Sequence, residues 1–210
     1  DRLVVVRAFT DSLRTPFDPF GKATNLPAAI ADAASIRASE IIYSSAGGEQ
    51  PQYLVNELSN AISRGDIRMA IIAGGEAHAA VKIALKKRLQ LDWTSAISAE
   101  IEDRGPQIDF ISGYEIANGM GLPPQTYAAM EEALRARLGL SQAEYLDYIA
   151  DICAGLSATA EQNPYAQFSR AMTKEFLAQP SSKNHPICDP YLKWHVAQDA
   201  VNQASSLILT

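Results

Sequence analysis

Cysteine is scarce in this chain. There are two in 210 residues, Cys153 and Cys188, too few for a disulfide framework, so a reduced, cytoplasmic setting is expected. No apolar run approaches the roughly 20 residues that span a bilayer, and no secretory-signal pattern opens the chain; no membrane span is expected. Excess positive charge is also lacking: 18 Lys and Arg stand against 24 Asp and Glu, with a net charge of -6 and a pI of about 5.1. That balance carries no nucleic-acid footprint, and the one basic run, Lys86-Lys87-Arg88, suits a helix C-terminus, where cations complement the dipole. His185 and His195 flank Cys188 and Asp189 at a spacing that matches no common zinc pattern, so no metal is expected. Gly74-Gly75 lacks the third glycine of a dinucleotide fingerprint. It reads instead as close strand–helix packing, and no cofactor is expected. Internal repeats and low-complexity tracts are absent.

What is present is an ordinary globular mixture, 47% hydrophobic and 20% charged, which can bury a real core. The length suits one domain, or one and a half small ones. Arg2 to Ala8 is an apolar, β-branched run of the kind found in buried parallel strands. The segment from Thr10 to Asn25, with Pro16, Pro19 and Gly21, reads as a loop. Pro27 fits the first turn of a helix continuing through Ala28 to Ile36. Glu40 to Ser44 is a short strand. A helix over Gln52 to Arg64 follows, with Pro51 in its first turn and an apolar stripe of Leu54, Val55, Leu58 and Ile62. Arg68 to Ala73 is a further buried strand, and Glu76 to Leu89 a further helix. This alternation predicts an α/β layer with a mostly parallel sheet, joined by a last strand near Leu207. A chain that begins at Leu3-Val4-Val5-Val6 and ends at Ser206-Leu207-Ile208-Leu209, both core-strand patterns, is expected to be a piece of a longer protein.

From Gln90 to Pro124 the pattern turns irregular, punctuated by Gly105, Pro106, Gly119 and Gly121. A helix over Gln125 to Leu138 is stopped by Gly139. Ser141-Gln142-Ala143-Glu144 is a capping box opening a helix expected to run to about Cys153 and to end at Gly155. Cys153 falls on that helix's apolar side with Leu146 and Ile149, as a core residue would. A polar, proline-punctuated tail covers Ser181 to Tyr191.

One junction carries more. Ser44-Ser45-Ala46-Gly47-Gly48-Glu49-Gln50-Pro51-Gln52 leads from strand to helix, the helix ends at Gly65-Asp66, and the next strand ends at Ala73-Gly74-Gly75. This order resembles the nucleophile region of the thiolase superfamily. Further on, Asn163-Pro164-Tyr165-Ala166-Gln167-Phe168 is similar to a segment of sterol-carrier-type thiolases. Pro190-Tyr191-Leu192-Lys193 resembles an element of thiolase-like proteins named acetyl-CoA acetyltransferases. The closing Asn202-Gln203-Ala204-Ser205-Ser206 departs from the family's Asp-Gly-Ala-Ala-Ala. The resemblance spans nearly all of the chain, and matches only the N-terminal half of such a protein without its first strand and helix.

The resemblance implies a thiolase-like layered α/β fold with an inserted, mainly helical loop domain. Residues 1–89 would be the first part of the α/β domain, 90–200 the insertion and 201–210 the closing strand. It also implies an acyl-CoA ligand, a CoA thioester as substrate, and a homodimer or a partner subunit. The family's nucleophilic cysteine is missing, and counting back from Gly74 puts Glu49 at its position. A carboxylate at a helix N-terminus is stabilised as an anion, which makes it a weak base and nucleophile. Glu49 is therefore either a general base in a different carbon–carbon reaction or a helix-start residue with no catalytic role. His78, just past Gly75, is the second catalytic candidate, as a partner of Glu49 across one cavity; the alternative is a packed or surface histidine. Gly47 and Gly48 either expose amides to a thioester carbonyl or form a tight turn. Tyr165, among Trp93, Tyr114, Tyr127, Tyr145 and Tyr148, either lines an acyl-CoA channel or packs a small helical layer. Cys188 is either a reactive loop thiol or a small buried hydrophobe. Three functions follow: an acetyl-CoA acetyltransferase-like protein without the usual cysteine, an aldolase-like lyase acting on CoA thioesters, and a non-catalytic acyl-CoA-binding or scaffolding protein.

Overall fold

The structure is a computed structural model that describes every residue except 13–16, 106–110 and 199; the loop positions Pro16 and Pro106 lie outside the described residues. In chain order the elements are β1 (Arg2–Val5), α1 (Leu26–Ala33), β2 (Glu40–Tyr43), α2 (Gln50–Ser63), β3 (Ala70–Ala77), α3 (His78–Lys86), β4 (Glu102–Asp103), α4 (Gly113–Ala117), α5 (Pro123–Leu138), α6 (Gln142–Glu161), α7 (Lys174–Ala178), β5 (Pro186–Cys188), β6 (Tyr191–Leu192) and β7 (Asn202–Leu209). They form two compact units, residues 1–109 with 199–210, and residues 110–198.

The first unit is built on a five-stranded sheet in the order β4-β2-β1-β3-β7. β1 pairs in parallel with β2 and β3, β2 pairs in parallel with β4, and β7 runs antiparallel to β3. Because successive strand residues face opposite sides, the apolar run of β1 serves two cores. Val4, Ile42 and Ile72 face α2, where Leu54, Leu58 and Ala61 are buried. Leu3, Val5 and Tyr43 face α1 through Ala31, Leu26 and Ile30. Asn25 starts α1 by accepting the Ala28 N–H at 3.1 Å, with Pro27 in the first turn, as a side-chain cap does. β4 puts residues 102–103 into this sheet.

β3 is longer than expected. It continues through Gly74-Gly75 to Ala77, paired with Ser205 to Asn202 of β7, and α3 begins only at His78. The glycines are therefore not there for a helix. A Cβ on Gly75 would lie 2.9 Å from the Ala204 Cβ and 3.0 Å from the Gln203 carbonyl, and one on Gly74 would lie 3.2 Å from Val6. They permit close approach of neighbouring strands.

The second unit is helical with a small hairpin, β5 against β6. Gly139 ends α5 with a left-handed φ of 69°, the conformation glycine adopts without penalty. Ser141 and Glu144 form the capping box at the start of α6. α6 does not stop at Gly155 but runs through it to Glu161. An interior glycine costs about 1 kcal/mol relative to alanine. Packing of α6 on α7 offsets it, together with the buried Ser157 hydroxyl, which accepts the Met172 N–H at 2.9 Å and donates to the Ala154 carbonyl.

Candidate functional site

β1 and β2 are adjacent, yet the helices that follow them pack on opposite faces of the sheet. In open α/β sheets the crevice outside the carboxyl ends of such strands is where ligands bind. A cavity of about 370 Å³ lies beside it, by β1, β3 and β7, and its lining includes Val6, Val55, Ile72, Glu76 and Leu207. Its walls are largely apolar, with the acidic residue Glu76 among them, the arrangement usual for a small-molecule site.

Arg7 leaves the end of β1 and is buried. Its backbone N–H donates to Ser44 Oγ at 3.1 Å and its Nε to the Ser44 carbonyl at 2.9 Å. Its guanidinium lies 3.9 Å over the Tyr43 ring and forms an ion pair with Asp103. Tyr43 donates its hydroxyl to Asp11 at 2.6 Å, and Lys22 donates to the same carboxylate at 2.8 Å. Burial pushes Asp11 up, but the Lys22 and Tyr43 hydrogen bonds outweigh it and hold the carboxyl below its ordinary value. Burial and the Asp11 carboxylate push the Tyr43 hydroxyl far up. This network fixes the start of the Ser44–Gly48 turn.

Glu49 is the residue immediately before α2. It is exposed and makes no side-chain cap on the helix. Its own backbone N–H and the Gln50 amide hold its carboxyl below the ordinary value, so it is an anion at neutral pH. A methyl group on Gly47 would collide with this carboxylate, whereas one on Gly48 would meet nothing within 4 Å. Gly47 thus leaves room for Glu49 to fold back over the turn, and Gly48 serves no close contact within the described residues.

His78 opens α3 and its Nε2 lies 3.2 Å from Glu76 Oε2. The other oxygen of Glu76 accepts the Phe9 N–H at 2.7 Å. The structure therefore pairs His78 with Glu76, and Glu49 with Gln50. Among the described residues the cavity wall takes in Glu76 and Pro51, but not Glu49 or His78. Sequence reasoning missed Glu76 and Arg7. The available signal was a charged residue near the end of each of two apolar strand runs, Arg7 within Arg2 to Ala8 and Glu76 just past Gly74-Gly75.

Tyr165 belongs to the second unit and is 94% exposed. Tyr145 is fully buried and donates its hydroxyl to Glu131. His195 is a packed histidine: Nδ1 accepts the Leu192 N–H at 3.2 Å, and Nε2 lies 3.0 Å from the Leu177 carbonyl. Cys153 and Cys188 are both free and half-buried. Burial pushes the Cys153 thiol up, and burial with the neighbouring Asp189 charge pushes up that of Cys188, so both stay protonated at neutral pH. Among the described residues no group of three or more His, Cys, Asp or Glu could hold a metal ion, and no helix is long and apolar enough to cross a membrane.

No protein-family model matches the chain, and no curated protein sequence matches it. Among solved structures, the chain is similar to a monomeric SCP2-thiolase-like protein type 1 from Mycobacterium smegmatis, with 26% sequence identity and a TM-score of 0.70 over 99% of this chain. The chain spans about a third of that protein's length, 35%. The layered α/β fold, mostly parallel with helices on both faces, is thus a thiolase-like fold.

Proposed function

We propose that this chain is part of a thiolase-like protein that binds CoA thioesters, and that it supplies no thiolate for acyl transfer. The observation that carries this is the state of the α2 N-terminus. Where the thiolase resemblance puts a cysteine, an exposed Glu49 stands as an anion. Acyl transfer through cysteine needs a thiolate of lowered pKa, and both thiols of this chain are shifted the other way. Acetyltransferase activity of the thiolase kind is therefore the less favoured reading. Gly47 and Gly48 are proposed as thioester contacts, with Glu49 and His78 as catalytic candidates of the same unit; Tyr165, in the other unit, is proposed as a thioester contact by itself. The Mycobacterium smegmatis protein is monomeric, which favours a monomer over the homodimer that the resemblance implies. The cytoplasmic setting remains part of the proposal, in keeping with two free cysteines.

A carbon–carbon lyase acting on CoA thioesters is the second reading, favoured by the carboxylate of Glu76 in the cavity wall. The test is calorimetric titration of the full-length protein with acetyl-CoA and acetoacetyl-CoA, beside a thiolysis assay with acetoacetyl-CoA and CoA. Saturable binding without thiolysis is expected. Thiolysis at rates usual for an enzyme, or no binding of either thioester, would overturn the proposal.

A further inference from the structure

The structure assigns a cavity of the second unit to an organic anion with an apolar body, in chemical class a fatty acid. The cavity is about 530 Å³, and Arg170, Met172, Phe176, Lys183 and Trp194 line it. This volume is within the usual range of small-molecule sites. Its charged lining residues are Arg170 and Lys183, both positive, in a chain of net charge -6. Both are exposed, and among the described residues neither side chain makes an ion pair or a hydrogen bond. The Arg170 guanidinium lies instead 4.9 Å over the Trp194 ring. That contact holds the cation in place and leaves its N–H fork free for a carboxylate.

Two buried polar residues fix the walls from behind. The amide of Asn184 donates to the Phe176 and Leu177 carbonyls at 3.1 Å, and its Oδ1 accepts the Trp194 N–H at 3.2 Å. It thereby joins the Phe176 wall to the Trp194 wall. Ser157 accepts the Met172 N–H at 2.9 Å. The indole N–H of Trp194 donates to the Lys183 carbonyl at 2.9 Å, and Phe168 packs edge-on against the ring, centroids 5.0 Å apart. The one donor of the indole is thus occupied. The Thr173 hydroxyl, also in the lining, accepts the Phe176 N–H at 3.2 Å. What remains free is apolar surface and positive charge. That combination fits an alkyl chain ending in a carboxylate, and it offers no side-chain amide to read the edge of a nucleobase.

The experiment is calorimetric titration of the full-length protein with decanoate, with decan-1-ol as the uncharged analogue and acetyl-CoA as a competitor. Decanoate is expected to bind saturably, and decan-1-ol about tenfold more weakly or less, since it gives neither cation a charged partner. Arg170→Met and Lys183→Met each weaken decanoate binding about fivefold. Both positions are exposed, so the variants keep the fold, and an unchanged melting temperature checks this. Acetyl-CoA leaves decanoate binding unchanged. Equal affinity for acid and alcohol, decanoate affinity unchanged in both methionine variants, or no decanoate binding would overturn the inference. So would displacement of decanoate by acetyl-CoA with a matching loss of acetyl-CoA affinity in both variants, which would give the cavity to the thioester.

Discussion

Replacing Arg7 should cost far more than replacing its ionic partner. Arg7 is 8% exposed, whereas the Asp103 side chain is 54% exposed. In Arg7→Met three interactions go. The charged hydrogen bond to the buried Ser44 carbonyl is worth about 1.5–3 kcal/mol. The guanidinium over Tyr43 is worth about 1–2 kcal/mol when desolvated. The ion pair to a mostly solvated carboxylate is worth less than about 1 kcal/mol. Methionine fills most of the space of the arginine stem and recovers part of its packing, leaving a net loss of about 3 kcal/mol. Asp103→Asn loses the ion pair alone and keeps an acceptor for the Gly105 N–H, now bonded at 2.7 Å, so about 0.5 kcal/mol is expected. Urea unfolding measures both. With a slope of about 1–3 kcal/mol per M, Arg7→Met lowers the midpoint by about 1–3 M and Asp103→Asn by less than about 0.5 M. Trp93, packed edge-on against Phe20, reports on the first unit once Trp194 is replaced by Phe. Equal shifts for the two variants would refute the argument, because they would mean that the ion pair, not the Ser44 and Tyr43 contacts, holds Arg7.

Two further outcomes concern the second unit. Asn184 is fully buried, its amide donates to the Phe176 and Leu177 carbonyls at 3.1 Å, and its Oδ1 accepts the Trp194 N–H at 3.2 Å. Asn184→Ala leaves these buried groups unpaired, at about 1–3 kcal/mol for each one left unsatisfied, and a fall of several degrees in the melting temperature read by Trp194 fluorescence is expected. His195 has its protonation disfavoured by burial, and its folded pKa lies below its ordinary value. Such a group contributes stability that is fully present above the unfolded pKa of about 6.5 and is lost as pH falls through that value toward the folded one. Melting curves between neutral and mildly acidic pH should show this loss in the wild type and a flatter dependence in His195→Gln.

The first unit was largely legible in the sequence, because buried parallel strands read as uninterrupted apolar runs and α2 shows its stripe. Leu54 and Leu58, picked out by helical spacing, are fully buried. The misread stretches depend on partners distant in the chain. Gly74-Gly75 looks like a strand end until β7 pairs with it, and Gly155 looks like a helix stop until the packing of α7 is known. β4 and the β5–β6 hairpin are two or three residues per strand, too short for any periodicity. For the candidate site, sequence order located the turn that carries Gly47 and Glu49. It did not reveal that Glu76 lies in the cavity wall, because that depends on how far β3 extends.

The most direct test is peptide mapping by mass spectrometry after the full-length protein is incubated with acetoacetyl-CoA under conditions where binding is saturated. The expected result is bound thioester and no acetyl group on any peptide from residues 1–210, those holding Glu49, Cys153 and Cys188 included. An acetylated peptide from this chain that forms and turns over with added CoA would contradict it.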